Sequence, residues 1–223
     1  MDTHLLVGSG GETGNDLAKK LSQDGGTVFL TTHRHPLPDR PPFRYLSWDL
    51  EDPTQSLPDL DQALGKTSLS SLSLFAHPPF RRTSDLSAPS PYPSLAPLIL
   101  LLDHLRPRLG VGAPLLFFFP SLSRHRADGY LAARLWIGAL QGLFGELSRN
   151  RKGLLVTGIE TLVTPDRSTP HMTSEMVERI SGRTSRGRLA TAEEIADFAA
   201  WLIRSRSPLF HGQILQTEGG PYF

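Results

Sequence analysis

The run Gly8-Ser9-Gly10-Gly11-Glu12-Thr13-Gly14 follows the short apolar stretch His4–Val7 and precedes Leu17, Ala18 and Leu21, which recur at helical spacing. Glycines between a strand and a helix let the backbone approach a pyrophosphate and aim the helix N-terminus at it. Val28–Thr32 reads as the next strand, so strand, glycine loop, helix and strand make one βαβ unit with a parallel neighbour. After that second strand an acidic residue would hold the ribose hydroxyls of NAD. Thr32-His33-Arg34 stands there instead, and the positive charge of Arg34 favours a 2′-phosphate, hence NADP. Glu12 opposes any such ligand if it faces the phosphates. At ~5 Å and an effective dielectric near 20, repulsion is roughly 3 kcal/mol per phosphate charge.

The elements that must position this chemistry continue the same alternation. Arg44–Trp48 reads as a third strand, Leu69–Ala76 as a fourth, Leu115–Phe119 as a fully buried fifth, Leu154–Ile159 as a sixth and Phe210–Thr217 as a last. The Pro-rich segment 77–93 reads as loop. Leu95–Leu105 is predicted as a helix that closes before Pro107. Tyr130–Leu147 is the clearest helix, and its apolar residues pass round most of the cylinder, which predicts cover on several sides, most simply by a second subunit. Thr191 and Glu194 form a capping-box pair opening a helix through Ile203. The fold class expected is α/β, a Rossmann-like doubly wound parallel sheet of about seven strands with helices on both faces, in a single domain over 1–223.

Three features together resemble the short-chain dehydrogenase/reductase family over essentially the whole chain. They are the N-terminal glycine loop; Tyr130-Leu131-Ala132-Ala133-Arg134, similar to that family's Tyr-x-x-x-Lys; and the run Gly187-Arg188-Leu189-Ala190-Thr191-Ala192-Glu193-Glu194-Ile195-Ala196, then His211-Gly212-Gln213-Ile214 and Glu218-Gly219-Gly220. The resemblance implies a nicotinamide cofactor held by the loop, in one of two registers. Gly8, Glu12 and Gly14 match the family's spacing with glutamate for the middle glycine, whereas Gly8, Gly11 and Gly14 match a related branch with every glycine present. It also implies that Asp49 contacts the adenine ring, that Tyr130 moves the proton, and that Ser121 orients the carbonyl (Ser123 being the other serine of that loop).

Arg134 stands where the family has lysine. A free tyrosine titrates near pH 10 and needs nearby positive charge to act at neutrality. Arg134 supplies the charge but not a deprotonatable ammonium. Other family residues are replaced: Phe75-Ala76-His77-Pro78 follows the fourth strand in place of Asn-Asn-Ala-Gly, Thr161-Leu162 stands for Pro-Gly, and Ser94 aligns with an asparagine. Two functions therefore stand open, each implied by the resemblance. One is an NADP(H)-linked oxidoreductase acting on a carbonyl or alcohol. The other is an inactive member serving as structural or binding partner.

Composition narrows the partners. Lys plus Arg number 23 against 22 Asp plus Glu, so no global field favours nucleic acid or an anionic membrane. With no cysteine there is neither a disulfide nor a thiolate metal site, and His33 and His35 lack ligand-spaced partners, so no metal is expected. Leu95–Leu102 is too short to span a bilayer, no signal peptide is expected, and the chain reads as cytoplasmic. Arg183, Arg186 and Arg188 form a basic cluster that reads as a solvated loop or a docking point for an acidic partner; His77 is a loop histidine or a substitute acid. The expected assembly is a homodimer or homotetramer through helices 95–105 and 130–147.

Overall fold

A computed structural model of the chain describes residues 2–32, 43–47, 53–75, 95–121, 131–149, 153–161 and 173–217. Along the chain run β1 (Thr3–Val7), α1 (Glu12–Gln23), β2 (Thr27–Thr32), β3 (Phe43–Ser47), α2 (Pro53–Leu64), β4 (Ser71–Phe75) and α3 (Ala96–Leu105). Then follow β5 (Pro114–Pro120), α4 (Leu131–Arg149), β6 (Leu155–Thr161), α5 (Ser174–Ser181), α6 (Ala192–Ser205) and β7 (Ile214–Gln216). The strands form one seven-stranded sheet in the order β3-β2-β1-β4-β5-β6-β7, and every pairing is parallel. Strand order reverses between β1 and β4, and the crevice beyond the carboxyl ends there is where doubly wound sheets bind ligands.

Alternation along the strands divides the core in two. Leu5, Leu72, Leu115, Phe117, Phe119 and Val156 face α2, α3 and α4, and Phe144 of α4 meets the rings of Phe117 and Phe119 edge-on at 5.7 Å each. Leu6, Leu30, Leu116, Phe118 and Ile159 face α1 and α6 on the other side. The unbroken apolar run of β5 is thus explained: both of its faces are covered.

Several elements differ from the sequence expectation. Helix α2 was unmarked because Pro58 lies inside it, and proline argues against a helix interior; burial of Leu60 and Leu64 in the core outweighs that preference. Helix α5 was also unmarked, being short and without a buried residue. Strand β4 begins at Ser71, since Leu69 makes only a single bridge to Leu109. The last strand shrinks to Ile214–Gln216, because Pro208–Phe210 form a 3-10 turn and Gly212 adopts φ +74°. Within the single chain, Ala133, Trp136, Ile137, Leu140 and Phe144 of α4 form the buried stripe, as one side of the helix was expected to, whereas Leu135 is 66% exposed. Its outward side also carries exposed Gly138, Ala139 and Gly142. Among the described residues no helix is long and apolar enough to cross a membrane.

Candidate functional site

The carboxyl edge of the sheet gathers the end of β1, the start of α1, and the ends of β4, β5 and β6. Gly8 leaves β1 at φ +73°, and a Cβ there would lie 2.6 Å from the carbonyl oxygen of Phe75 at the end of β4. Gly14 is equally constrained: a Cβ would collide with the Ser9 carbonyl oxygen and stand 2.6 Å from Ser9 Cβ. Both positions demand glycine because helix and loop approach more closely than any side chain allows. The Gly8 amide donates to Thr31 Oγ1 (3.0 Å), the Ser9 amide to the Thr31 carbonyl (3.2 Å), and Ser9 Oγ to the Leu6 carbonyl (3.1 Å). The loop is therefore tied to the end of β2.

Gly11 is different. It is the N-cap of α1 at φ −87°, ψ 175°, ordinary extended backbone, and no side chain caps the helix. Its carbonyl accepts from the Asn15 amide (3.1 Å) and Asn15 Nδ2 (3.0 Å). Glu12 is exposed and sits in the first turn of α1. Helices α5 and α6, by contrast, supply their own caps. Thr173 Oγ1 accepts from the Met176 amide, and Thr191 with Glu194 completes a reciprocal capping box. Arg188 grips Glu194 through both oxygens at 2.6 and 2.8 Å, holding that carboxyl down at about 2. Arg186 also approaches Glu194 at 3.8 Å, so two members of the Arg183–Arg186–Arg188 cluster belong to the helix cap rather than to solvent alone.

At the other side of the crevice, Ser121 is 2% exposed, one residue past β5. Its amide donates to the Thr161 carbonyl at 2.8 Å, while its Oγ has no hydrogen-bond partner among the described residues. Arg134 lies half-buried in the first turn of α4. Tyr130, Arg34, Asp49 and His77 lie outside the described residues, so only Gly8, Gly11, Gly14, Ser121 and Arg134 of the expected set are placed. No group of three acids or histidines that could hold a metal occurs among the described residues.

The sequence reading missed Glu160. Strand β6 runs beyond Ile159 to Thr161, and Glu160 on it is 2% exposed. The signal was an acid directly continuing an apolar run, at even spacing from Val156.

The whole arrangement matches solved structures. A short chain dehydrogenase family protein from Francisella tularensis subsp. tularensis SCHU S4 superposes with a TM-score of 0.83 at 16% identity, covering 99% of this chain and 98% of that one. The chain has the short-chain dehydrogenase/reductase fold. A short-chain dehydrogenase/reductase from Serratia marcescens BCRC 10948 gives 0.82 at 16% identity, covering 98% and 97%. A short chain dehydrogenase from Burkholderia cenocepacia J2315, solved in complex with NADP, gives 0.81 at 20% identity over 98% and 97%. No protein-family model and no curated protein matches the chain by sequence. The short-chain dehydrogenase/reductase fold is thus formed by a sequence only 16–20% identical to these structures.

Proposed function

We propose that this chain is an oxidoreductase of the short-chain dehydrogenase/reductase type, using NADP(H) to interconvert a carbonyl and an alcohol. One observation carries the reading: the N-terminus of α1 has no side-chain cap and opens beside a loop that Gly8 and Gly14 hold flush against the sheet. Uncapped amides and the helix dipole suit a phosphate anion. The NADP bound to the Burkholderia relative supports the choice of cofactor, as does Arg34 after β2. When bound, NADP(H) supplies or accepts the hydride. The chain's own parts are Gly8, Gly11 and Gly14 for the pyrophosphate, Arg34 for the 2′-phosphate and Asp49 for the adenine. Tyr130 would give or take the proton, Arg134 would hold positive charge beside it, and Ser121 would orient the carbonyl through its hydroxyl, which has no hydrogen-bond partner among the described residues.

Titration with NADPH and NADH by calorimetry tests this. Micromolar NADPH binding, weaker for NADH, is expected; absence of binding for both at millimolar concentration would overturn it.

A second reading, a non-catalytic partner in an oligomer, is favoured by one surface. Ile99 and Leu100 of α3 are exposed, as is Leu135 of α4. These are the helices expected to build a homodimer or homotetramer. Sedimentation of the purified chain separates a monomer from either assembly.

A further inference from the structure

We infer that Thr31, near the end of β2, is a positioning residue for the nucleotide: it fixes the glycine loop while staying out of contact with the ligand. The inference rests on the NADP(H) reading and adds a residue to it. Thr31 is 1% exposed, too buried to touch a bound molecule itself. Its Oγ1 accepts from the Gly8 amide at 3.0 Å, and its carbonyl accepts from the Ser9 amide at 3.2 Å. The first two N–H groups of the loop are therefore both taken by one residue of the neighbouring strand. Strand pairing brings them there: Leu6 stands beside Leu30 in the parallel register, so Gly8 leaves β1 level with the last residues of β2.

On the other side of the loop the main chain of β4 sets the limit, with the Phe75 carbonyl oxygen 2.6 Å from where a Gly8 Cβ would stand. That contact fixes how near the loop can come, and the two bonds to Thr31 hold it there. Between Ser9 and the N-cap Gly11 only Gly10 intervenes, so a shift at Gly8 carries directly into the uncapped start of α1. Those are the amides that the NADP(H) reading gives to the pyrophosphate. Exchanging the Thr31 hydroxyl for a methyl keeps the branched shape of the side chain but removes the acceptor of a part-buried N–H. The loop relieves that loss by moving toward water, and the amides move with it.

The test is calorimetric titration of the full chain with NADPH, together with thermal melts, for wild type, Thr31→Val and Thr31→Ser. Thr31→Val is expected to weaken NADPH about tenfold. Thr31→Ser keeps the hydroxyl and loses a buried methyl, so it should lower Tm yet bind NADPH within about threefold of wild type. A merely structural residue would not separate the two readouts in this way. Unchanged NADPH affinity in Thr31→Val, or an equal loss in Thr31→Ser, overturns the role. Amide exchange of the wild type decides even where Thr31→Val does not fold. A loop that must be closed to bind is held closed by its ligand, so saturating NADPH should slow exchange at Gly8 and Ser9 by about tenfold or more. Unchanged exchange at both overturns the role. If wild type binds neither NADPH nor NADH, the cofactor reading and this role fall together. If wild type binds NADPH and Thr31→Val binds it equally, only the role of Thr31 falls.

Discussion

A side chain on Gly8 would begin 2.6 Å from the carbonyl oxygen of Phe75, so the glycine loop is pressed onto the end of β4 where the strand order reverses. Gly8→Ala is expected to destabilise the fold by about 2–4 kcal/mol, combining the left-handed backbone cost with overpacking against an unyielding main chain. Gly11→Ala, at an ordinary extended conformation, should change stability by no more than about 1 kcal/mol. Urea denaturation of the two variants measures the contrast, and equal effects would count against the loop geometry.

The uncapped start of α1 gives a second expectation. Gly11→Asp supplies a cap, and should stabilise the helix by a few tenths of a kcal/mol. The same carboxylate would repel a bound phosphate, weakening NADPH by about tenfold or more. Stabilisation with unchanged NADPH affinity would show that the nucleotide does not use these amides.

His4 is buried in β1, its Nδ1 2.8 Å from Ser71 Oγ, with the turn at Gly26 against its ring. Burial pulls its pKa below the usual 6.5, opposed by Asp2 and Asp24, with Arg206 and Arg204 adding to the depression. The folded state therefore binds the proton less readily than the unfolded chain. Stability should be full above about pH 6.5 and fall as pH drops below it, by at most about 1.4 kcal/mol per unit, until the folded pKa is reached. His4→Gln should flatten the change in Tm between pH 7.5 and 5; an unaltered slope would place the acid sensitivity elsewhere.

Thr191 accepts from the Glu194 amide at 3.1 Å and Glu194 returns a bond to the Thr191 amide at 2.9 Å. Thr191→Ala should cost about 1 kcal/mol by opening the box. Because Arg188 keeps the Glu194 carboxyl at about 2, that part of the cap should persist to strongly acid pH. Thermal melts of Thr191→Ala and wild type check the cost.

Leu135→Glu and Trp136→Glu divide surface from core. Leu135 faces solvent on α4 and Trp136 lies in the core cluster. Trp136→Glu should cost several kcal/mol by burying a charge. Leu135→Glu should leave the monomer stable, and should lower the mass seen in sedimentation if α4 forms an interface.

Much of the fold was legible because its signals are local. The glycine loop, the apolar run of β5 and the Thr191–Glu194 cap each depend on residues adjacent in sequence. Helix α2 was not, since Pro58 conceals it and only packing of Leu60 and Leu64 against the sheet brings it out. The apolar pattern of α4 left open which side meets the sheet; packing places Ala133, Trp136, Ile137, Leu140 and Phe144 there.

Sequence by itself determined the alternation that yields a seven-stranded parallel sheet, the helices opened by the glycine loop and by Thr191, and the presence of glycines in the first turn. Tertiary structure alone decided that Gly8 meets Phe75, that Gly11 needs no glycine, and that Thr31 takes the first two amides of the loop. Those facts depend on strand register, and register joins residues 67 positions apart in the case of Gly8 and Phe75's strands. No short-range pattern encodes it; it is set by how two covered faces of one sheet fill their cores.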